Sequence, residues 1–142
     1  MSQVQQALRE AAGPDRQIGL LYVCVSKRVN TRLFMQGEFE GSFKNPVPGV
    51  AVSTVITEKD RQEFYLVSTQ GRQGMVKPTR YTVIHDSILG GEDPVAIELL
   101  SYKLCHAYFN VAGAISVPAP VQYAHKLAAL VGERGSEEKD PP

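Results

Sequence analysis

The sequence has few of the residues and segments that indicate disulfides, zinc sites, membrane helices or secretion. It has no tryptophan and two cysteines, Cys24 and Cys105, which form neither a CxxC motif nor a Cys/His cluster. We therefore expect two buried free thiols in a reducing compartment, and not a disulfide or a zinc site. No apolar run approaches the roughly 18 residues of a membrane helix, and the N-terminus lacks the basic and apolar segments of a secretory signal.

Neither sign of charge is in excess, since the chain has 15 lysines and arginines and 15 acidic residues. Residues 133–142 hold four acids and two bases, so the remainder of the chain carries a net charge of +2. That is far below the strongly basic balance typical of a nucleic-acid-binding domain. The 142 residues, of which 43% are hydrophobic, suffice for one domain with a core. Composition alone leaves the function open.

The apolar pattern predicts three helices and four strands. They are a helix at 3–12, strands at 18–25, 50–57, 63–68 and 80–85, and helices at 94–110 and 120–132. The run from Ile18 to Val25 is continuously apolar, which is typical of a strand buried on both faces. Residues 37–49 and 69–78 are rich in glycine and polar residues, so we expect loops there.

Two of the predicted helices carry clear signals. Asp93 followed by Pro94 is an N-cap with proline at the first helical position. The expected buried stripe of this helix is Ala96, Leu99, Leu100, Leu104, Ala107 and Tyr108. The last helix opens at Pro120, and its expected apolar face is Val121, Ala124, Leu127 or Ala128, and Val131. From Gly135 onward the charged tail is predicted to be disordered. Strands beside helices favour an α/β sheet layered with helices.

A set of short motifs runs through nearly the whole chain in a fixed order. They are Ser-Lys-Arg-Val-Asn-Thr-Arg (26–32), Asn-Pro-Val-Pro-Gly (45–49), Phe-Tyr-Leu-Val-Ser (64–68), Gln-Gly (73–74), Lys-Pro-Thr-Arg-Tyr (77–81), Tyr-Lys-Leu-Cys-His (102–106) and Val-Pro-Ala-Pro-Val-Gln-Tyr-Ala-His-Lys-Leu-Ala (117–128). Each is weak alone, but in this order and spacing the chain resembles the C-terminal part of the Piwi domain of the Argonaute/Piwi family. Asn110 favours the Piwi clade, because the Argonaute clade has arginine there.

The resemblance implies a partial RNase H-like fold, a mixed sheet with flanking helices, over residues 1–134, followed by the disordered tail at 135–142. It also implies a metal site of two aspartates, a glutamate and a histidine that binds Mg²⁺ or Mn²⁺ in the intact family. His125 occupies the histidine position as catalytic and metal ligand. The carboxylates are expected upstream of Met1, so we expect no cofactor and no cutting for this chain alone. His85 and His106 are expected to be structural.

Guide-RNA binding needs hydrogen-bond donors aimed at phosphates and no acid cluster. The resemblance, carried over position by position, gives eight candidate residues. They are Lys27, Arg28, Gln73, Lys77, Tyr108, Asn110, Ser116 and Gln122. The implied role is small-RNA-guided gene silencing in the cytoplasm or nucleus, with guide RNA and target RNA as partners.

Two alternatives remain open from the sequence. The chain could be a truncated version of a complete RNA-guided endonuclease, in which case carboxylates encoded upstream restore the site. It could instead be an interaction fragment that contacts Piwi partners or Tudor-type proteins without binding RNA. No feature suggests a membrane partner.

Overall fold

The computed structural model describes residues 2–13, 16, 18–57, 60–71, 74–89 and 91–137. Its elements are α1 (Ser2–Ala12), β1 (Leu21–Ser26), β2 (Met35–Gln36), β3 (Phe43–Lys44), β4 (Val50–Val52), β5 (Glu63–Val67), β6 (Thr79–Asp86), α2 (Pro94–Cys105) and α3 (Ala119–Glu137). Along the described residues one helix is followed by six strands and then by two helices. The predicted α/β class is confirmed. Within the described ranges no helix has the length and apolar character needed to cross a membrane.

Four strands form one antiparallel sheet in the order β1-β6-β5-β4. β5 lies inside the sheet and is buried at every residue, whereas β4 has only three residues. The strand predicted at 50–57 therefore ends at Val52. A second, two-residue ladder joins β2 to β3, so the segment predicted to be a loop at 37–49 contains the short strand β3.

The strand β1 is not buried on both faces, which corrects the prediction for 18–25. Its residues alternate between half-buried and exposed, because helix α2 lies over only one face of the sheet. Leu21, Val23 and Val25 pack toward the core. Cys24 is on the other face and is exposed, so only Cys105 is the buried thiol that the sequence predicted, although both cysteines are free.

The core forms between β5, β6 and α2. Phe64 and Tyr81, on paired strands, stack with ring centroids 4.7 Å apart and planes within 2° of parallel. Leu66 and Ile97 complete the fully buried cluster. The Tyr81 hydroxyl lies 3.7 Å from the Cys105 sulfur, and burial raises the pKa of both groups. Cys105 is therefore a buried packing residue whose thiol is protonated at neutral pH.

Helix α2 begins as predicted but buries a different face. The Ala96 N–H donates to the Asp93 side chain at 3.0 Å, and Pro94 occupies the first turn. The buried row is Ile97, Ser101 and Cys105. Of the predicted stripe, Leu99 and Leu100 are half exposed. The helix ends at Cys105, so Ala107 and Tyr108 lie in the connection that follows it.

Helix α3 begins at Ala119 and continues to Glu137, past the Gly135 at which the charged tail was predicted to start. The apolar face expected to be buried is largely exposed: Leu127 and Val131 are both 63% accessible. The neighbouring Leu130 is exposed as well. Of the residues predicted for this apolar face, only Val121, near the start of the helix, is half-buried. The apolar side of α3 is thus uncovered by the described residues.

One edge of β1 also has no partner in the described part of the chain. Backbone hydrogen-bonding groups alternate sides along a strand, and the Leu20 carbonyl accepts from the Ser87 N–H on the β6 side at 3.0 Å. The groups of Leu21, Val23 and Val25 therefore point to the open edge. A row of unpaired N–H and C=O groups is a template for another strand.

We expect the chain, purified by itself, to self-associate through this edge. If Val23 of one copy faces Val25 of another, the two Cys24 residues lie opposite each other in a pair without hydrogen bonds. Their Cα atoms would then be about 4.5 Å apart, within the range that a disulfide spans. Mild oxidation should yield a cross-linked dimer on a non-reducing gel, which Cys24→Ser abolishes and Cys105→Ser preserves. A monomer at micromolar concentration that neither cross-links nor binds ANS would contradict this.

The two apolar rows of α2 can be separated by mutation. Ile97→Ala should lower the free energy of unfolding by roughly 2–5 kcal/mol, because it leaves a cavity beneath a side chain that is 1% exposed. Leu99→Ala should cost less than about 1 kcal/mol, because half of that side chain already contacts solvent. Urea unfolding of both variants measures the difference. Equal losses would mean that α2 is rotated relative to this arrangement.

Candidate nucleic-acid interface

Four of the eight candidate residues lie at one end of the four-stranded sheet. The end of β1 is opposite the start of β6, since Ser26 pairs with Arg80. The end of β5 lies there too, because Leu66 pairs with Thr79. Lys27 and Arg28, which follow β1, and Lys77, which precedes β6, therefore project from the same sheet end. We call it the basic end of the sheet.

The connection from α2 to α3, residues 106–118, crosses the basic end and is held there by hydrogen bonds. The Ser68 hydroxyl donates to the Ile115 carbonyl at 2.8 Å, and the Thr79 hydroxyl donates to the Ser116 carbonyl at 2.6 Å. The Ile115 N–H in turn donates to the Cys105 carbonyl at 2.9 Å. The backbone of Ser116 is thus fixed directly against the sheet, and the residue is exposed.

The two loops that carry the cations are also held by specific bonds. The Arg32 guanidinium donates to the carbonyls of Val29 and Thr31 at 3.0 and 2.8 Å, which closes the turn after Arg28. This arginine therefore organises the loop, a role that sequence reasoning did not assign. The sequence feature that could have indicated this role is the position of Arg32 at the end of the 26–32 motif.

Asn45 does the same for the loop before Lys77. Its side chain donates to the Gly74 carbonyl at 2.8 Å and accepts from the Val76 N–H at 3.1 Å. The packing is close: a Cβ atom on Gly71 would lie 2.6 Å from Val76 and 2.9 Å from the Asn45 amide nitrogen. Lys77 is exposed between Val76 and Pro78, which are both buried. Its backbone is therefore positioned before any ligand arrives.

Acidic residues are absent from the stretches that build the basic end. Residues 16–37, 64–85 and 99–132 contain nine of the fifteen lysines and arginines and none of the acids. Four acids, Asp86, Glu92, Asp93 and Glu98, lie at the opposite end, where β6 ends and α2 begins. A net charge of zero therefore conceals an uneven distribution of charge along the chain. The long stretches without acids can be recognised in the sequence itself, although the net charge of the whole chain does not reveal them.

Only some of the cations at the basic end are available to a ligand. Arg80 forms an ion pair with Glu63 at 3.6 Å, and Glu63 also accepts from the Thr82 hydroxyl at 2.9 Å. Lys27 and Arg28, like Lys77, are exposed and have no ion-pair partner among the residues that the structure describes. These three are the cations that could neutralise phosphate.

The remaining candidates lie where the 106–118 connection meets α3. Asn110 is exposed and Gln122 is half-buried. Tyr108 is 5% exposed, with its ring 5.0 Å from that of Tyr123. Tyr108 is therefore a packing residue with little surface left for contact with RNA. Gln73 lies outside the described residues.

The Piwi domain family matches residues 1–135. The chain belongs to the Argonaute/Piwi family. It is 45% identical over 121 residues to the Piwi-like protein Ago3 of Bombyx mori, covering 85% of this chain and 13% of that protein. The Piwi names of its relatives confirm the expected clade.

Solved structures support the same conclusion. The crystal structure of Drosophila Piwi matches with a TM-score of 0.77 and 41% identity, over 92% of this chain and 17% of that one. Kluyveromyces polysporus Argonaute with a guide RNA matches with a TM-score of 0.69 over 90% of this chain and 16% of its own, and at 23% identity it supports the fold alone. The chain thus has a partial Piwi fold and spans less than a fifth of these relatives.

His125, which the sequence predicted to be a metal ligand, is exposed on α3. Mg²⁺ and Mn²⁺ prefer oxygen ligands, and a two-metal centre needs several carboxylates. No group of three or more His, Cys, Asp or Glu side chains in the described ranges could hold a metal ion. These residues by themselves do not fit a two-metal centre, and His125 offers a single nitrogen ligand.

Two other titratable residues have structural roles in the Piwi fold. The His106 ring accepts or donates a hydrogen bond at the Tyr102 carbonyl, 3.0 Å away, and packs edge-on against the Tyr102 ring, as a structural histidine should. Asp86 accepts from the backbone N–H groups of Ile88 and Leu89, both at 2.9 Å, and from Gly91 at 3.1 Å. These bonds, that of Leu89 foremost, lower the pKa of Asp86 below its ordinary value.

Because the folded-state pKa of Asp86 is depressed, its stabilising effect is present above the ordinary carboxyl pKa of about 3.9 and is lost as the pH falls through the folded value. Asp86→Asn should therefore lower Tm at pH 7, since the amide accepts weaker bonds from the turn. The Tm difference from the unsubstituted chain should shrink below about pH 4. Thermal unfolding followed by circular dichroism between pH 2.5 and 7 measures it. A difference that stays constant over this range would show that the charge is not responsible.

Proposed function

We propose that this Piwi-family chain contributes part of a surface that binds the sugar–phosphate backbone of single-stranded RNA, with a small guide RNA as the ligand. The observation that carries the proposal is the basic end of the sheet, with three exposed cations on loops held by Arg32 and Asn45 and no ion-pair partner for them among the described residues. Contacts of this kind position a strand without reading its sequence. Family membership and the guide RNA bound to Kluyveromyces Argonaute support the choice of ligand.

The affinity should be low, because three solvent-exposed cations release few counterions. Polar donors add orientation: the exposed Asn110 and Ser116 border the same surface, and Gln122 begins the α3 side of it. The silencing activity of a complete Piwi protein, its target RNA and its cytoplasmic or nuclear site belong to this proposal as well. In a complete protein, His125 would add one ligand to a Mg²⁺ or Mn²⁺ centre whose carboxylates come from elsewhere.

The uncovered apolar faces favour a second candidate function, contact with another protein. Leu99 and Leu100 on α2 and Leu127, Leu130 and Val131 on α3 are each at least 46% exposed. Contiguous exposed apolar surface marks interaction sites. The partner could be more of a Piwi-type chain or a Tudor-type protein. RNA binding and protein contact involve different faces, so both can hold.

The RNA proposal predicts a specific salt dependence. With about three phosphate contacts, the slope of log K against log salt should be near −2 for a single strand. Arg28→Glu and Lys77→Glu together should flatten it to about −0.7 or less. Fluorescence anisotropy of a labelled ten-nucleotide RNA between 25 and 200 mM salt measures the slope.

Arg9→Glu is the matched control for each single charge reversal. Arg9 borders the cavity beside His85 and Ser87, at the opposite end of the sheet, and the change in net charge is the same. It should leave the slope within experimental error of the unsubstituted chain. No detectable binding at 25 mM salt, or equal effects of Arg9 and Arg28 reversal, would favour the protein-contact function.

A further inference from the structure

Phe109 is the most exposed large apolar side chain in the described residues, at 94% accessibility. It lies in the connection between α2 and α3, between the two RNA-contact candidates Tyr108 and Asn110. Full exposure of an aromatic ring forgoes the free energy of burial. A ring in that position therefore suggests a ligand that covers it.

The backbone beneath this ring is fixed. The Phe109 N–H donates to the Tyr123 hydroxyl on α3 at 3.2 Å. The preceding residue, Tyr108, is buried against Tyr123, and the Val111 N–H donates to the Tyr108 carbonyl at 3.4 Å. The ring thus projects from an anchored turn and is pre-positioned for a ligand.

The chain offers a second exposed phenylalanine for comparison. Phe39 is 76% exposed in the β2–β3 turn, which is also hydrogen-bonded, through Ser42. Its sequence neighbours are Glu38 and Glu40, whose charges repel phosphate. Phe109 instead lies within the acid-free stretch 99–132, on the connection that crosses the basic end. The two rings are alike in exposure and opposite in electrostatic surroundings.

We propose that Phe109 is a stacking platform for an unpaired base of the RNA whose backbone contacts the basic end. Single-stranded RNA is commonly recognised by aromatic side chains that stack on splayed bases, beside cations that follow the backbone. Any of the four bases can stack, so the platform adds affinity with little sequence preference. A protein ligand would be expected on the aliphatic faces of α2 and α3, which lie outside this turn. The inference rests on the proposed RNA-binding function.

The test uses the full chain and a ten-nucleotide single-stranded RNA, unmodified, with 2-aminopurine at successive positions, or with single abasic sites. Phe109→Ala should weaken binding by about 5- to 150-fold, which corresponds to about 1–3 kcal/mol of stacking per base. Phe109→Tyr should retain binding within about threefold. Phe39→Ala, the matched control, should bind as the unsubstituted chain does. The salt slope should be unchanged in all of them, because no charge is removed.

Stacking has signatures that a loss of fold would not produce. 2-Aminopurine at one position should be quenched by the unsubstituted chain and not by Phe109→Ala, and an abasic site at that position should weaken binding to the unsubstituted chain alone. Thermal unfolding of Phe109→Ala should be unaltered, since the ring has few contacts to lose.

The outcomes separate the two proposals. Salt-dependent binding that is insensitive to Phe109→Ala and to abasic sites would overturn the stacking role and leave the RNA-binding function intact. Equal losses in Phe109→Ala and Phe39→Ala would overturn it also, since exposure alone would then explain the effect. No RNA binding by the unsubstituted chain at low salt would overturn the proposed function itself and this inference with it.

Discussion

The pairing of β5 with β6 is the interaction on which the rest of the structure depends. It places Phe64 against Tyr81 in the core, and at the end of the same ladder it places Ser68 and Thr79 where they bond the 106–118 connection. In a strand pair, a slip of one residue turns every side chain to the other face. The slipped register would separate the stacked rings and would also release Ser116 from the sheet. The core and the candidate interface are therefore fixed by a single register.

This register also explains how a chain without net charge can present a basic surface. Antiparallel pairing brings the residue after β1, the residues before β6 and the end of β5 to one place, although they are some fifty residues apart in sequence. Charges interact over about 8 Å at physiological ionic strength, so the local set matters and the total does not. Asp86, Glu92, Asp93 and Glu98 lie at the other end of the sheet, and Glu63 is paired with Arg80, so these acids offer little opposition to a phosphate near Lys27 or Lys77.

Local signals in the sequence were sufficient for most of the elements. The Asp93-Pro94 pair located the start of α2, because a cap and a first-turn proline act within one turn of helix. Burial was harder to predict. The packed face of α2 contains Ser101, and two leucines on the other row are exposed. The periodicity therefore predicted the helix correctly but did not predict which face is turned toward the core. Whether one or both faces of β1 are buried depends on the layers that cover the sheet. The sequence of a single strand does not specify those layers.

For the candidate site too, some features could be predicted from the sequence and others could not. The types of residue that could contact RNA follow from the motifs, whereas their placement at one end of the sheet follows from strand pairing. The supporting bonds could not be predicted, because they join distant segments: Asn45 holds a loop 29 residues away. Tyr108 illustrates the same difficulty, since its burial depends on a ring contact to α3.

Binding and cutting make different demands on such a fold. Phosphate contacts act almost independently, so each exposed cation adds its own counterion release and a partial set still binds. A two-metal centre is cooperative in its ligands, because two ions about 4 Å apart need several carboxylates at once. A phosphate contact by Lys27 would therefore need only its own loop in place, whereas a catalytic role for His125 would need several carboxylates beside it. The capacity to hold RNA can lie in one contiguous segment, while the capacity to cut it must be assembled from several.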